Sequence, residues 1–145
     1  MRLWHINLIP YLPKLQLLSQ WRECCCIAKN IADNGTPNHL LVNKVLNYNV
    51  DNFEFYCKTI EEEMIKRGYK INPKVHDRLF NYIFDSCWRF NQNHIHYDYL
   101  FEDWHNERYL KQCLFNLQEK FDCGGIPKDE WKIIEDKFGY LLKDE

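Results

Sequence analysis

Apolar residues recur at spacings of three and four along most of the 145-residue chain, and turn-forming residues fall between the periodic stretches. Pro13 is placed as a first-turn residue of a helix running to about Ala32, with Leu17, Trp21, Cys24, Ala28 and Ala32 on one side and Asn34-Gly35 as its stop. Thr36-Pro37 opens a second helix carrying Leu40, Leu41, Val45 and Leu46. Asp51 followed by Glu54 makes a capping-box-like start for a helix with Phe53, Tyr56, Ile60 and Met64 inward. Lys66-Arg67-Gly68 closes it with cations at the negative end of the helix and a glycine able to take positive φ. Asn72-Pro73 starts another helix, with Val75, Leu79 and Ile83 as its stripe. Asn91-Gln92-Asn93 is a polar break before an aromatic and charged segment from about Tyr97 to Phe121, which Gly124-Gly125 ends. Pro127 opens a last helix holding Trp131, Ile134 and Phe138. No stretch alternates cleanly at period two. The pattern predicts an all-α fold, one compact domain over 1–145 with about six helices around one core.

Composition narrows the function. The chain is 46% hydrophobic and 16% aromatic with net charge −2, which excludes global disorder and a whole-chain basic nucleic-acid binder. Charge is unevenly placed, however. Residues 1–50 hold five Lys+Arg against two Asp+Glu (net +3), 51–100 seven against eight (−1), and 101–145 seven against eleven (−4). Only the first third presents a favourable field to a polyanion; the acidic last third reads as solvated surface. Arg2, His5, Pro10, Pro13 and Lys14 interrupt the first apolar stretch, defeating a signal-peptide core and a membrane span. The seven cysteines then read as reduced thiols of a cytoplasmic protein. Cys24, Cys25 and Cys26 are consecutive, lack the spacing of zinc ligands, and read as small core filling.

On a wheel of the first helix, Gln16, Ser19, Gln20 and Asn30 lie near Glu23, which sets Glu23 on the polar face with Arg22 and Lys29 beside it and Trp21 at the apolar border. His94 and His96 are two apart, so sharing a metal with each other, or with His105 and Cys113, requires an extended loop. The stretch Trp104-His105-Asn106-Glu107-Arg108-Tyr109 is polar and aromatic, a composition that suits a pocket lining but more often marks a helix with its aromatic stripe inward and its charges in water.

The segments Met1-Arg2-Leu3-Trp4, Gln20-Trp21-Arg22-Glu23, Asn38-His39 and Lys66-Arg67-Gly68-Tyr69-Lys70-Ile71, in this order and approximate spacing, resemble the pyrimidine-dimer DNA glycosylase family. The resemblance is most specific over residues 1–30, has a second anchor at 60–71, and makes 1–71 the family-like core with 90–145 as an extra helical segment. It implies an all-α glycosylase and abasic-site lyase acting on damaged double-stranded DNA, with no metal or organic cofactor. It further implies that the α-amine of Met1 is the nucleophile, that Glu23 moves protons during the sugar chemistry, and that Arg22, with Arg2, holds phosphates. Trp4 and Trp21 stack or wedge at an extruded nucleotide, or pack in the core. His39 fits the family's histidine near the site, and Gln16 stands where the family has a histidine on the first helix.

A terminal amine suits imine chemistry. With a pKa of about 7.7–8.0 roughly 10–20% of it is free base at neutral pH, against well under about 0.1% for lysine. The alternative is a non-catalytic nucleic-acid-binding or protein-interaction helical domain, and a weaker one is a metalloprotein built on His94, His96 and cysteines. No feature marks a membrane or an obligate protein partner.

Overall fold

The computed structural model describes residues 2–86 and 100–142, and all regular structure among them is helical. The expected all-α class is observed. A 3-10 helix (Ile6–Tyr11) leads into α1 (Lys14–Asn34), which is followed by a second 3-10 helix (Asn43–Asn47), α2 (Val50–Lys66), α3 (Pro73–Asp85), α4 (Glu107–Asp122) and α5 (Lys128–Leu142). No described helix is long and apolar enough to cross a membrane.

Several boundaries lie where the punctuation put them. Pro13 precedes the first turn of α1, and Gly35 at φ 76° donates its N–H to the Ile31 carbonyl at the other end. At the end of α2, Gly68 at φ 85° closes a Schellman turn in which Tyr69 N–H donates to Met64 O and Gly68 N–H to Ile65 O. Asn72 caps α3, its side chain accepting from Lys74 N, with Pro73 at the first helical position.

Three expectations are corrected. The helix predicted after Thr36-Pro37 is instead a turn followed by the short 3-10 helix, and Leu40 and Leu41 are 87% and 50% exposed. Local side-chain hydrogen bonds win over helix there: Thr36 Oγ1 and the N–H of His39 both approach Asn43 Oδ1, and Asn38 adopts φ 56°. The cap of α2 is Asn49, which accepts from Asp51 N, so the expected Asp51–Glu54 box is displaced by two residues. The Trp104–Tyr109 stretch, read as helix, has turns and bends through Asn106 and becomes helix only at Glu107, where Asn106 caps it through Tyr109 N. Asn91-Gln92-Asn93, His94 and His96 lie outside the described residues.

Among the three adjacent cysteines only Cys24 is buried; Cys25 is half-buried and Cys26 exposed, because consecutive helical positions diverge by about 100°. α3 packs chiefly on α1, and α4 on α5. Through the middle runs the head of the chain, with Leu3 fully buried and Trp4 and His5 at 6% and 3% exposure. Its far end is clamped by Arg67, whose guanidinium donates to the carbonyls of Leu12 at 2.7 Å and Pro10 at 3.2 Å while its Nε contacts Glu63. The Lys66-Arg67-Gly68 signal therefore marks a helix end that also grips the first 3-10 helix.

Candidate active site

Residues 2–5 have no regular structure, so their main-chain polar groups need partners from elsewhere. The largest share comes from Gln20, a fully buried side chain on α1. Its Oε1 accepts from Trp4 N–H at 2.8 Å, and its Nε2 donates to Arg2 O and to Glu23 Oε2, both at 3.0 Å. These demands fix the amide orientation, since one end must accept and the other must donate. Tyr56, from α2, points its hydroxyl at Trp4 O at 2.6 Å and lies 2.8 Å from Gln20 Oε1. From the other end of the sequence, Tyr109 OH donates to Leu3 O, and Ile6 N–H donates to His105 Nδ1 at 3.0 Å. One side chain thus ties the main chain of Arg2 directly to the carboxylate of Glu23.

Gln20 was placed on the polar face from the wheel, and the structure corrects this. It lies on the stripe Leu17–Cys24–Ile27–Ile31, all buried, and Glu23 occupies the border of that stripe, half-buried. Burial pushes the Glu23 carboxyl above the ordinary carboxylate value. The positive charge of the amino terminus, Lys120, a hydrogen bond from the Arg2 backbone and His39 pull it the other way. The result is a carboxyl suited to holding and releasing a proton, in a positive environment.

The other candidates differ in placement. Met1 lies outside the described residues. Arg2 is half-buried, its Nη1 3.9 Å from Cys113 Sγ and its guanidinium 5.6 Å from the centre of the Trp4 ring. His39 sits in the turn, half-buried, and its charge is felt at Glu23. Arg22 is exposed and donates to Ser19 Oγ at 3.3 Å. Trp4 and Trp21 are 6% and 7% exposed, so both indoles are core and present almost no face to a base. Gln16 is half-buried with a buried Oε1.

Sequence reasoning missed Gln20, Tyr56, Tyr109, His105 and Lys120 as parts of this arrangement. His105 is stacked on His5 at 5.1 Å between ring centres and packs within 5.0 Å of Phe101, Trp104 and Tyr109. Burial drives its imidazole pKa down to about 2, and that of His5 downward as well. Phe101, at φ 48° with a fully buried ring, accepts from the Trp104 and His105 amides and so turns both residues toward the head of the chain. His105 and Cys113 are thus engaged with the N-terminal segment. Among the described residues no three metal-binding side chains gather.

Beside Arg2 opens a cavity of about 370 Å³ lined by Arg2, Leu41, Lys44, Trp104, Tyr109 and Gln112. A larger cavity of about 550 Å³ on α4 and α5 is edged by Glu135 and Asp136 and shares no lining residue with it.

Residues 1–77 match the profile of a family described as pyrimidine dimer DNA glycosylase. No curated protein and no solved structure matches the chain. The matched part holds Arg2, Gln20, Glu23, His39 and Tyr56, whereas Trp104, His105, Tyr109, Gln112 and Lys120 lie beyond it.

Proposed function

The chain belongs to the pyrimidine dimer DNA glycosylase family, and from that premise we propose that it excises damaged bases from double-stranded DNA and cleaves the resulting abasic site through an imine on its own α-amine. The observation that carries this reading is the Gln20 bridge between Arg2 O and Glu23 Oε2. The α-amine belongs to the residue next to Arg2, and its positive charge acts on the Glu23 carboxyl.

In the proposed reaction the Met1 nitrogen forms a bond to the deoxyribose C1′ as the glycosidic bond breaks and the base leaves with its electron pair. Opening of the sugar ring gives the imine, with the ring oxygen leaving as the C4′ hydroxyl. Glu23, its carboxyl raised by burial, takes a C2′ proton, and the 3′ phosphate leaves by β-elimination. Water then hydrolyses the imine and frees the amine. Arg2 and Arg22 hold backbone phosphates, which positions the duplex without reading sequence. His39 acts electrostatically on the Glu23 carboxyl. Pyrimidine dimers are the proposed lesion, after the family.

The test is borohydride reduction in the presence of a duplex with one abasic site, alongside a strand-cleavage assay. The expected result is a covalent protein–DNA adduct and cleavage by wild type, with cleavage lost and DNA binding kept in Glu23→Gln. A protein that binds the duplex but yields neither adduct nor cleavage supports the non-catalytic binding domain instead.

A further inference from the structure

Of the three adjacent cysteines of α1, Cys26 is the one turned to solvent, and neither the core nor the proposed chemistry uses it. It lines an open cavity of about 190 Å³ where α3 packs on α1. The cavity has an apolar side, with Leu79 buried and Val75 and Tyr82 half-buried. Its polar side is cationic: Lys29 comes from α1 and Arg78 from α3, both exposed, and neither forms an ion pair among the described residues. No carboxylate lines it. Two unpaired cations beside an apolar surface suit an organic anion that carries carboxylates.

The second thiol of the cavity is Cys25. Burial pushes it up to about 11 against the pull of Arg78, so it stays protonated at neutral pH. The thiolate is the nucleophile and access governs its use, which leaves the exposed Cys26 as the reacting group. At about 190 Å³ the cavity is smaller than the roughly 300–1,000 Å³ that enclose a free ligand, and it suits an arm already tethered at its rim. Cys26 also lies four residues beyond Arg22 on α1, a spacing that makes the two surface neighbours with Cβ atoms about 5–6 Å apart. Both are exposed. A negative group fixed at Cys26 therefore competes with a phosphate for Arg22.

We propose that Cys26 is a modification site for small anionic thiols of the glutathione type: the adduct seats its carboxylates at Lys29 and Arg78 and closes the Arg22 face of α1 to DNA. The Cys26 proton passes to water, and the thiolate attacks one sulfur of the small-molecule disulfide. A new bond forms to Cys26 Sγ as the old S–S bond breaks, and the other half leaves as a thiolate with the electron pair. Cys26 is oxidised and the departing half reduced, so no further oxidant is needed. The DNA half of the proposal rests on the glycosylase reading above, and the adduct does not.

The test uses the full chain and two probes of similar size, glutathione disulfide and the same molecule with its carboxylates esterified, with the adducts mapped by peptide mass. Cys123, an exposed thiol just after Asp122 at the end of α4, is the internal reference. The ratio of Cys26 to Cys123 adduct is expected to be at least fivefold higher with glutathione disulfide than with its ester. Lys29→Gln combined with Arg78→Gln, both surface changes, brings the ratio down to the ester's. Equal ratios for the two probes, or an unchanged ratio in the double variant, overturn the carboxylate seat, and reaction confined to Cys123 overturns the site. In a duplex-binding assay the glutathione adduct is expected to weaken binding at least fivefold and the ester adduct less than twofold, with dithiothreitol reversing both. Cys26→Ser binds as reduced wild type does and is insensitive to glutathione disulfide. A Cys26 adduct that binds as tightly as the free thiol overturns the block. Reduced wild type that binds no duplex removes the glycosylase reading and the block together, while the adduct stands or falls on the mass ratios.

Discussion

Gln20→Leu keeps the volume of a fully buried side chain and deletes its polar end. The Trp4 N–H loses its acceptor in a buried setting, the Arg2 carbonyl loses its donor in a partly buried one, and Glu23 loses an amide contact at 3.0 Å. A buried group left unpaired costs about 1–3 kcal/mol. With the Trp4 N–H counted in full and the Arg2 carbonyl in part, the expected loss is about 2–4 kcal/mol. At about 2–4 °C per kcal/mol for a chain of this size, that is a fall in melting temperature of about 4–16 °C. Circular dichroism melts and denaturant midpoints at neutral pH measure it. Tyr56→Phe serves as partner in a double-mutant cycle, since its hydroxyl shares Trp4 O and Gln20 Oε1 and a coupling of about 0.5 kcal/mol or more is expected. If Gln20→Leu stays within about 0.5 kcal/mol of wild type, the level of an ordinary surface change, the head of the chain is not held by this network.

Other outcomes follow from the same geometry. Burial holds the His105 and His5 imidazoles neutral, so the unfolded chain binds more protons once pH drops below about 6.5. Stability present above that value is lost toward acid, about 2 kcal/mol by pH 5 from His105 alone, and His105→Gln should flatten a plot of melting temperature against pH. Glu23 has the opposite sign: its raised pKa means that stability falls as pH rises through the window above 4.5, so Glu23→Gln should match or exceed wild-type stability at pH 8, with the advantage vanishing below the window. The same variant should lose about 100-fold or more in strand cleavage. Arg67→Lys cannot span the Leu12 and Pro10 carbonyls as the planar guanidinium does, and a thermal melt should show a loss of about 1–3 kcal/mol.

Helix ends were legible because proline, asparagine and glycine act locally: Asn72-Pro73, Gly35 and Gly68 all sit where their backbone preferences are used. The Thr36–Leu46 segment misled because apolar residues at 40, 41, 45 and 46 fit a helical period, while hydrogen bonds from Thr36 Oγ1 and the His39 N–H to Asn43 Oδ1 decide the conformation. Gln20 carried a signal that the wheel centred on Glu23 obscured: a polar residue on the apolar stripe of α1. The Glu23–Arg2 pairing was accessible only through family resemblance. The contacts of Tyr109 with Leu3 and of His105 with Ile6 join residues about a hundred positions apart, and no local pattern encodes such a distance. Charge resolved along the chain pointed to the first third, yet Lys120, from the net-negative last third, also acts on Glu23.

The central claim is that the head of the chain, held at Glu23 through Gln20, performs the chemistry. Mass-spectrometric mapping of the borohydride-trapped DNA adduct tests it most directly. The account predicts a single modified site at the α-nitrogen of residue 1, abolished by prior acetylation of that amine and strongly reduced in Gln20→Leu under conditions where the variant remains folded. An adduct on a lysine side chain, or one that survives acetylation of the terminus, contradicts it.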